Sequence, residues 1–297
     1  MKNVIVTGAN GFLGSTLIER LIGDGTRVLA IDCSFENCHL PESELIRKLT
    51  IRLDQGEELL AIPKEDYDAF YHFAWRGVNG KEKADPMIQE NNIRMNLICA
   101  RAARELHCGR FLVAGTIAER VMDSVERLEK TTGGMMYAAG KNAAHLMLET
   151  WCKCHDQPFV WMQFANIYGP QNHTGNLVSY TLAQLRKDED AEYGPALQPY
   201  DFIYIDDLLE AIYRMGDAKL TRSNYFIGSG DPRRLRDYLL TIGQLCGKEH
   251  LIKIGRRPDD GVMYDVEMFD ISPLVADIGE YVRVPFEEGV RRTIEAG

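Results

Sequence analysis

Apolar positions recur along this chain in two alternating periods, and that alternation lays out the fold. Residues 4–7 form a short, mostly apolar run of strand length that leads straight into Gly8, Gly11 and Gly14. Beyond the glycines, Leu13, Leu17, Leu21 and Ile22 recur at helical spacing, and residues 28–31 form a second apolar run that closes on Asp32. Short continuous apolar runs suit strands covered on both faces, whereas the three-to-four spacing suits a helix lying on them. The opening stretch is therefore predicted to be a β-α-β unit.

The pattern continues downstream. Strands are predicted over 49–53, 69–74, 111–114 and 159–164, and long helices over 87–107 and about 136–155. Between them lie a short polar segment at 57–66, a charged loop at 75–86 carrying Gly77 and Gly80, and a polar stretch at 119–134. Beyond Asn166 the regularity falls, with Gly169, Pro170, Gly175, Gly194, Pro195 and Pro199 punctuating short segments. That composition suits a smaller lobe closing over a site. Further strands are predicted at 202–205 and 225–228, with helices over 207–215, 235–246 and 286–295. The expected architecture is a Rossmann-type doubly wound α/β parallel sheet with a smaller α/β lobe. Residues 1–165 and 200–230 would bind the dinucleotide, and 166–199 with 231–297 would bind substrate.

Composition narrows the function. With 297 residues, 45% of them apolar, the chain has ample length for a core. Its net charge of -10 argues against a general nucleic-acid surface, which needs a basic face. No apolar run is long enough to span a bilayer, and the N-terminus enters a strand with no signal-peptide pattern, so a cytoplasmic protein without membrane attachment is expected. Seven irregularly spaced cysteines imply reduced thiols. Cys152 and Cys154 would point to different sides of a helix, and His155 and His173 lack ligand spacing, so no metal is expected. Cys99 should face the core and be inert, and His72, inside an apolar strand, should be a satisfied structural histidine.

The glycine turn carries the first piece of chemistry. Gly8 permits a tight turn, Gly11 lets the main chain approach a pyrophosphate, and Gly14 lets the helix pack closely. The phosphates would sit on unpaired amides at the positive end of the helix. Asp32 falls 18 positions after Gly14, where a carboxylate accepts the adenosine ribose hydroxyls and repels a 2'-phosphate. NAD is therefore favoured, with NADP possible; the plainer reading is an acid that merely ends a strand.

The second piece is Tyr137-Ala-Ala-Gly-Lys141. Side chains four apart share a helix face, so the Lys141 ammonium can sit beside the Tyr137 phenol and favour its ionised form. Thr116, at the end of the preceding strand, could hold a substrate oxygen against that phenol.

Taken together, Gly8-Ala-Asn10-Gly11-Phe12-Leu13-Gly14, Asp32, Asp54, Phe73-Ala74, Asn92, Thr116, Tyr137 with Lys141, and Asn166-Ile-Tyr-Gly169-Pro170 occur in the order of the extended short-chain dehydrogenase/reductases. The chain resembles their nucleotide-sugar epimerase, dehydratase and ketoreductase branch over nearly its full length. The resemblance implies that Thr116, Tyr137 and Lys141 are catalytic, with Lys141 tuning Tyr137 and meeting the nicotinamide ribose. It implies cofactor contacts from the glycine turn with Asn10, Phe12 and Leu13, and from Asp32, Gln55, Trp75, Asn92 and Ala165. Asp54 would meet the adenine amino group, while Phe73 and Ala74 would line the cofactor channel. Asn166 would contact the sugar or its diphosphate, Arg257 would neutralise phosphate charge, and Tyr200 would line the substrate site.

The departures refine this. Ile117 and Ala118 follow Thr116 where 4,6-dehydratases carry Asp-Glu, which disfavours dehydration. Gln171 stands where GDP-fucose synthases carry a histidine, and no cysteine follows Thr116, so double epimerisation is unsupported. Tyr200 and Gln163 occupy places where many relatives have arginines. The resulting expectation is an NAD-dependent enzyme acting at C4 of a nucleotide-diphosphate sugar, as an epimerase or a 4-keto-6-deoxy-sugar reductase. The alternatives are a reductase of a non-nucleotide carbonyl and a non-catalytic dinucleotide sensor. Small residues Ala138, Ala139, Ala143 and Ala144 suggest that the helices 87–107 and 136–155 pair across a homodimer axis; the alternative is packing within the monomer.

Overall fold

A computed structural model of the protein describes residues 1–127, 132–170, 172, 176–259 and 261–296. The chain opens with β1 (Asn3–Thr7), α1 (Phe12–Gly23), β2 (Arg27–Asp32) and β3 (Ile46–Thr50). Next come α2 (Glu57–Leu60), β4 (Ala69–His72), α3 (Pro86–Glu105), β5 (Phe111–Thr116), α4 (Gly134–Cys154) and β6 (Phe159–Phe164). The later part holds β7 (Asn166–Tyr168), α5 (Leu177–Arg186), β8 (Ala191–Glu192), β9 (Pro199–Tyr200), β10 (Phe202–Tyr204), α6 (Ile205–Met215) and β11 (Asn224–Ile227). It ends with β12 (Arg233–Arg234), α7 (Leu235–Leu245), β13 (Ile252–Lys253), α8 (Ser272–Ile278) and α9 (Phe286–Glu295).

Seven of these strands form one sheet in the order β11-β6-β5-β4-β1-β2-β3, parallel throughout. The two-residue period of a strand explains its two-sided burial. Val4 and Val6 enter the core that holds Leu17, Ile18 and Leu208, while Ile5 enters the opposite core with Ala100, Ala144 and Leu148. Helices α1 and α6 thus cover one face, and α3 and α4 the other. The chain winds outward from β1 both ways, so the crevice beyond the carboxyl ends of β1 and β4 is the sheet's switch point, where such folds bind ligands.

Two expectations shift. The strand expected at 49–53 lies at Ile46–Thr50, because Leu53–Gln55 turns into a single 3-10 turn that carries Asp54 out of the sheet. The strand expected at 202–205 ends at Tyr204, where α6 begins, and it pairs with β7 in a separate two-stranded sheet. Helix α5 was not anticipated; Asn176 caps it by accepting the Ser179 amide at 2.9 Å, and the low regularity around it hid the pattern. Residues 128–131, Gln171, His173 and Gly175 lie outside the described residues.

Candidate active site

The glycine turn has the form its sequence demands. Gly8 lies at φ +70°, and a Cβ there would come within 2.8 Å of the Ala74 amide nitrogen. A Cβ on Gly14 would drive into the Gly8 carbonyl oxygen. Both glycines therefore let α1 start against the sheet's switch point. Gly11 caps α1 without any side-chain partner, which leaves the Phe12 and Leu13 amides at the helix mouth unclaimed by a cap. Asp32 sits at the end of β2, its two oxygens accepting the Asn10 and Cys33 amides at 2.9 and 2.7 Å. Asn10 in turn ties the following loop, donating to Ser34 O and accepting the His39 amide. A backbone cradle, a positive helix end and a carboxylate at the next strand tip fit a dinucleotide.

Other expected cofactor residues take more specific places. Asp54 is ion-paired with Arg52 at 3.1 Å, and that hydrogen bond holds its carboxyl below the usual range. The Gln55 side chain lies outside what the structure describes. Phe73 continues β4 by donating its amide to Thr7 O at 3.0 Å, so Phe73 and Ala74 lie against the glycine turn. Asn92 is fully buried and uses both ends of its amide on the backbone of Arg76. It pins the loop after β4 rather than reaching outward. Ala165 is buried where its amide bonds Ile227 O.

Thr116, Tyr137 and Lys141 converge at the carboxyl end of β5. Lys141 is 3% exposed; its Nζ donates to Ala114 O at 2.6 Å and lies 6.0 Å from the centre of the Tyr137 ring. Trp75 closes over it, with the ammonium 3.7 Å from the indole centre and the Tyr137 ring set edge-on at 6.1 Å. Trp75, expected only as a cofactor contact, therefore walls the Tyr137–Lys141 pair, and Gln89 fixes its indole N–H at 2.9 Å. Burial pushes the Lys141 ammonium down to about 7, opposed by the charge of Glu119.

The phenol departs from expectation. Burial, reinforced by Glu119, holds Tyr137 above its ordinary range, and its hydrogen bond with Thr116 only partly offsets this. Desolvation penalises both charged forms, so a neighbouring ammonium alone does not ionise this tyrosine. His72 is buried but, against expectation, only half satisfied: Nδ1 lies 2.6 Å from Thr7 Oγ1, while its Nε2 has no partner among the described residues. Burial and Lys141 push its pKa down to about 3, so it stays neutral.

Asn166 and Tyr200 come together: the tyrosine hydroxyl donates to Asn166 Oδ1 at 2.9 Å, and Asn166 Nδ2 donates to Asp201 O. Arg257 is exposed and lies on Tyr180, donating to its hydroxyl at 2.7 Å. Cys99 is fully buried, and burial pushes its thiol up, in keeping with an inert residue. Cys152 is buried and Cys154 exposed, on opposite sides of α4. No cluster of metal-binding type occurs among the described residues, and no described helix is long and apolar enough to cross a membrane.

A family model described as the NAD dependent epimerase/dehydratase family matches residues 4–228. The chain belongs to that family. The UDP-glucose 4-epimerase of Mycolicibacterium smegmatis is 24% identical over 318 residues, covering 98% of this chain and 97% of that protein. The UDP-glucuronic acid decarboxylase 1 of Arabidopsis thaliana is 30% identical over 230 residues, covering 70% of this chain and 50% of that protein. The fold matches the Thermotoga maritima UDP-glucose 4-epimerase solved with UDP-glucose, at a TM-score of 0.78 and 20% identity, covering 99% and 98% of the two chains. It matches the Bacillus anthracis dTDP-glucose 4,6-dehydratase solved with NAD at a TM-score of 0.81 and 17% identity, covering 100% and 96%. Membership makes this an enzyme of the NAD-dependent epimerase/dehydratase type.

Sequence reasoning missed one feature of the site, in the stretch it took for a polar connection. Residues Ile117–Arg127 form 3-10 turns, and within them Glu119 is only 2% exposed. A charged residue followed by Arg120 gives no apolar signal, so nothing in the pattern marks it as buried.

Proposed function

We propose that this enzyme moves a hydride at C4 of a nucleotide-diphosphate sugar, either epimerising the sugar or reducing a 4-keto-6-deoxy form. The observation that carries the reading is the convergence of Thr116, Tyr137 and Lys141 beside the dinucleotide cradle. NAD, when bound by the glycine turn and Asp32, supplies the hydride acceptor and donor. A Tyr137 phenol held neutral is ready to give its proton to a sugar oxygen as a carbonyl becomes an alcohol. In the opposite sense the Lys141 ammonium stabilises the phenolate that takes the proton back. The Thr116 hydroxyl, already bonded to the phenol, orients the same oxygen.

Expulsion of water is disfavoured, because Ile117 is buried and Ala118 offers no acid or base. Asn166 and Tyr200 together support a polar seat for the sugar or its diphosphate, and Arg257 is the candidate partner for phosphate charge. We further propose a homodimer through the outer faces of α3 and α4, where Met87, Leu146 and Met147 are exposed.

A thermal-shift screen of UDP, dTDP, CDP and GDP with their sugars, in the presence of NAD, identifies the carrier. Turnover of the best binder by the wild type, and at least a ~10²-fold slower rate in Tyr137→Phe, is the expected result. A Tyr137→Phe variant with full turnover refutes the mechanism. Retained NAD with no external redox requirement indicates an epimerase, and consumption of added NADH indicates a reductase.

A further inference from the structure

We propose that Glu119 is the positioning residue of this site, holding the turn that carries Thr116 and supplying the buried counter-charge for Lys141. The inference rests on the reading of Thr116, Tyr137 and Lys141 as the reacting groups. Glu119 is the hub of three side chains and one backbone amide. One carboxylate oxygen accepts the Thr116 backbone N–H at 2.7 Å, and both accept the Trp161 indole N–H, at 3.0 and 2.9 Å. The other oxygen accepts Gln163 Nε2 at 3.2 Å and lies 3.3 Å from His145 Nδ1.

Each partner is itself fixed. Arg120 donates to Gln163 Oε1 at 3.2 and 2.9 Å; because a guanidinium only donates, this turns the Gln163 amide group toward Glu119. His145 stacks flat on Trp161, 4.8 Å between centres at 4°. Gly115 has no side chain for a reason: a Cβ there would run into the Trp161 indole nitrogen and come within 2.9 Å of Glu119 Oε1. The sequence thus clears room beside Thr116 for a carboxylate to sit against β5 and β6.

The charge matters as much as the geometry. Among the described residues Lys141 forms no ion pair of its own; its neighbours are Ala114 O and the rings of Trp75, Tyr137 and Trp161, the last 5.9 Å away. Of the two indoles beside Lys141, the more distant, Trp161, is the one whose N–H is bound by Glu119. The groups facing the carboxylate are Thr116 from β5, His145, Tyr137 and Lys141 from α4, and Trp161 and Gln163 from β6, with Arg120 behind Gln163. Burial drives Lys141 toward the neutral amine and Glu119 opposes it, while burial keeps Tyr137 a phenol and the same carboxylate adds to that effect. Glu119 therefore biases the proton on both partners, against burial at Lys141 and with it at Tyr137.

The deciding measurement needs neither substrate nor turnover. In the full-length chain labelled with [13Cε]lysine, with and without NAD, NMR follows the titration of Lys141, its resonance assigned by loss in Lys141→Arg. Glu119→Gln keeps the size and the hydrogen-bonding reach, and is expected to move the Lys141 midpoint down by about one pH unit, roughly a tenfold loss of ammonium at a given pH above the midpoint. Glu119→Asp keeps the charge and is expected to hold the midpoint near the wild-type value while slowing turnover through the displaced Thr116. An unchanged midpoint in Glu119→Gln overturns the proposal. If the glutamine variant does not fold, a downward shift of a unit or more in Glu119→Asp overturns it, and a held midpoint supports it. A fully active Tyr137→Phe variant would remove the mechanism while leaving these titrations readable, so the two failures are distinguishable.

Discussion

At the scale of single residues, the site is governed by what burial does to charge. Lys141 and Tyr137 both lie where desolvation penalises ionisation, and no sequence spacing reports that. A lysine whose folded pKa falls to about 7 from 10.5 costs stability at low pH, where it must be charged inside the protein. The unfolded chain binds the extra proton between those two values, so the penalty is full below about 7 and is relieved as pH rises toward 10.5. Lys141→Met is therefore expected to raise the melting temperature by several degrees at pH 6 and by much less at pH 9, while abolishing turnover. Equal gains at both pH values would show that Lys141 is not desolvated. Residues that the motif names with one role also take another here: Asn92 and Trp75 shape the loop after β4 and the wall of the Tyr137–Lys141 pair. Their type was legible in the chain, but their partners, Arg76 and Gln89, were not.

At the scale of elements, the β1-turn-α1 unit is the part that local chemistry specifies most completely. The run into Gly8, the missing side-chain cap at Gly11 and the contact of Gly14 with the turn all follow from residues within 14 positions of the N-terminus. Gly14→Ala forces a methyl into the Gly8 carbonyl, so it is expected to lower the melting temperature and abolish the stabilisation that NAD confers. Gly23→Ala, at the other end of α1, meets nothing within 4 Å and should stabilise by about 0.4–1 kcal/mol with NAD binding intact. Thermal melts with and without NAD distinguish the two. Where elements depart from expectation, as at Leu53–Gln55 and α5, the residues carry weak periodicity and tertiary contacts choose between turn, strand and helix.

At the scale of the whole molecule, α3 and α4 bury one side against the sheet and leave the other open. Ala144 and Leu148 are fully buried, whereas Leu146 and Met147 are 61% and 48% exposed. Apolar side chains left on the outer face of a helix pair are the surface on which the homodimer is proposed. The double substitution Leu146→Glu and Met147→Glu is expected to convert a dimer into a monomer in light scattering with little change in secondary structure; an unaltered mass would place any dimer contact elsewhere. The sequence by itself determined the doubly wound order of elements, the dinucleotide turn and the Thr116, Tyr137 and Lys141 set, because these depend on local periods, backbone freedom and four-residue helical spacing. The tertiary structure alone decided the protonation of the pair and the place of Glu119. Those depend on a carboxylate from one connection, an indole from β6 and a histidine from α4 meeting in a space that water has left. Burial and long-range charge are properties of the assembled core, and no short stretch of chain encodes them.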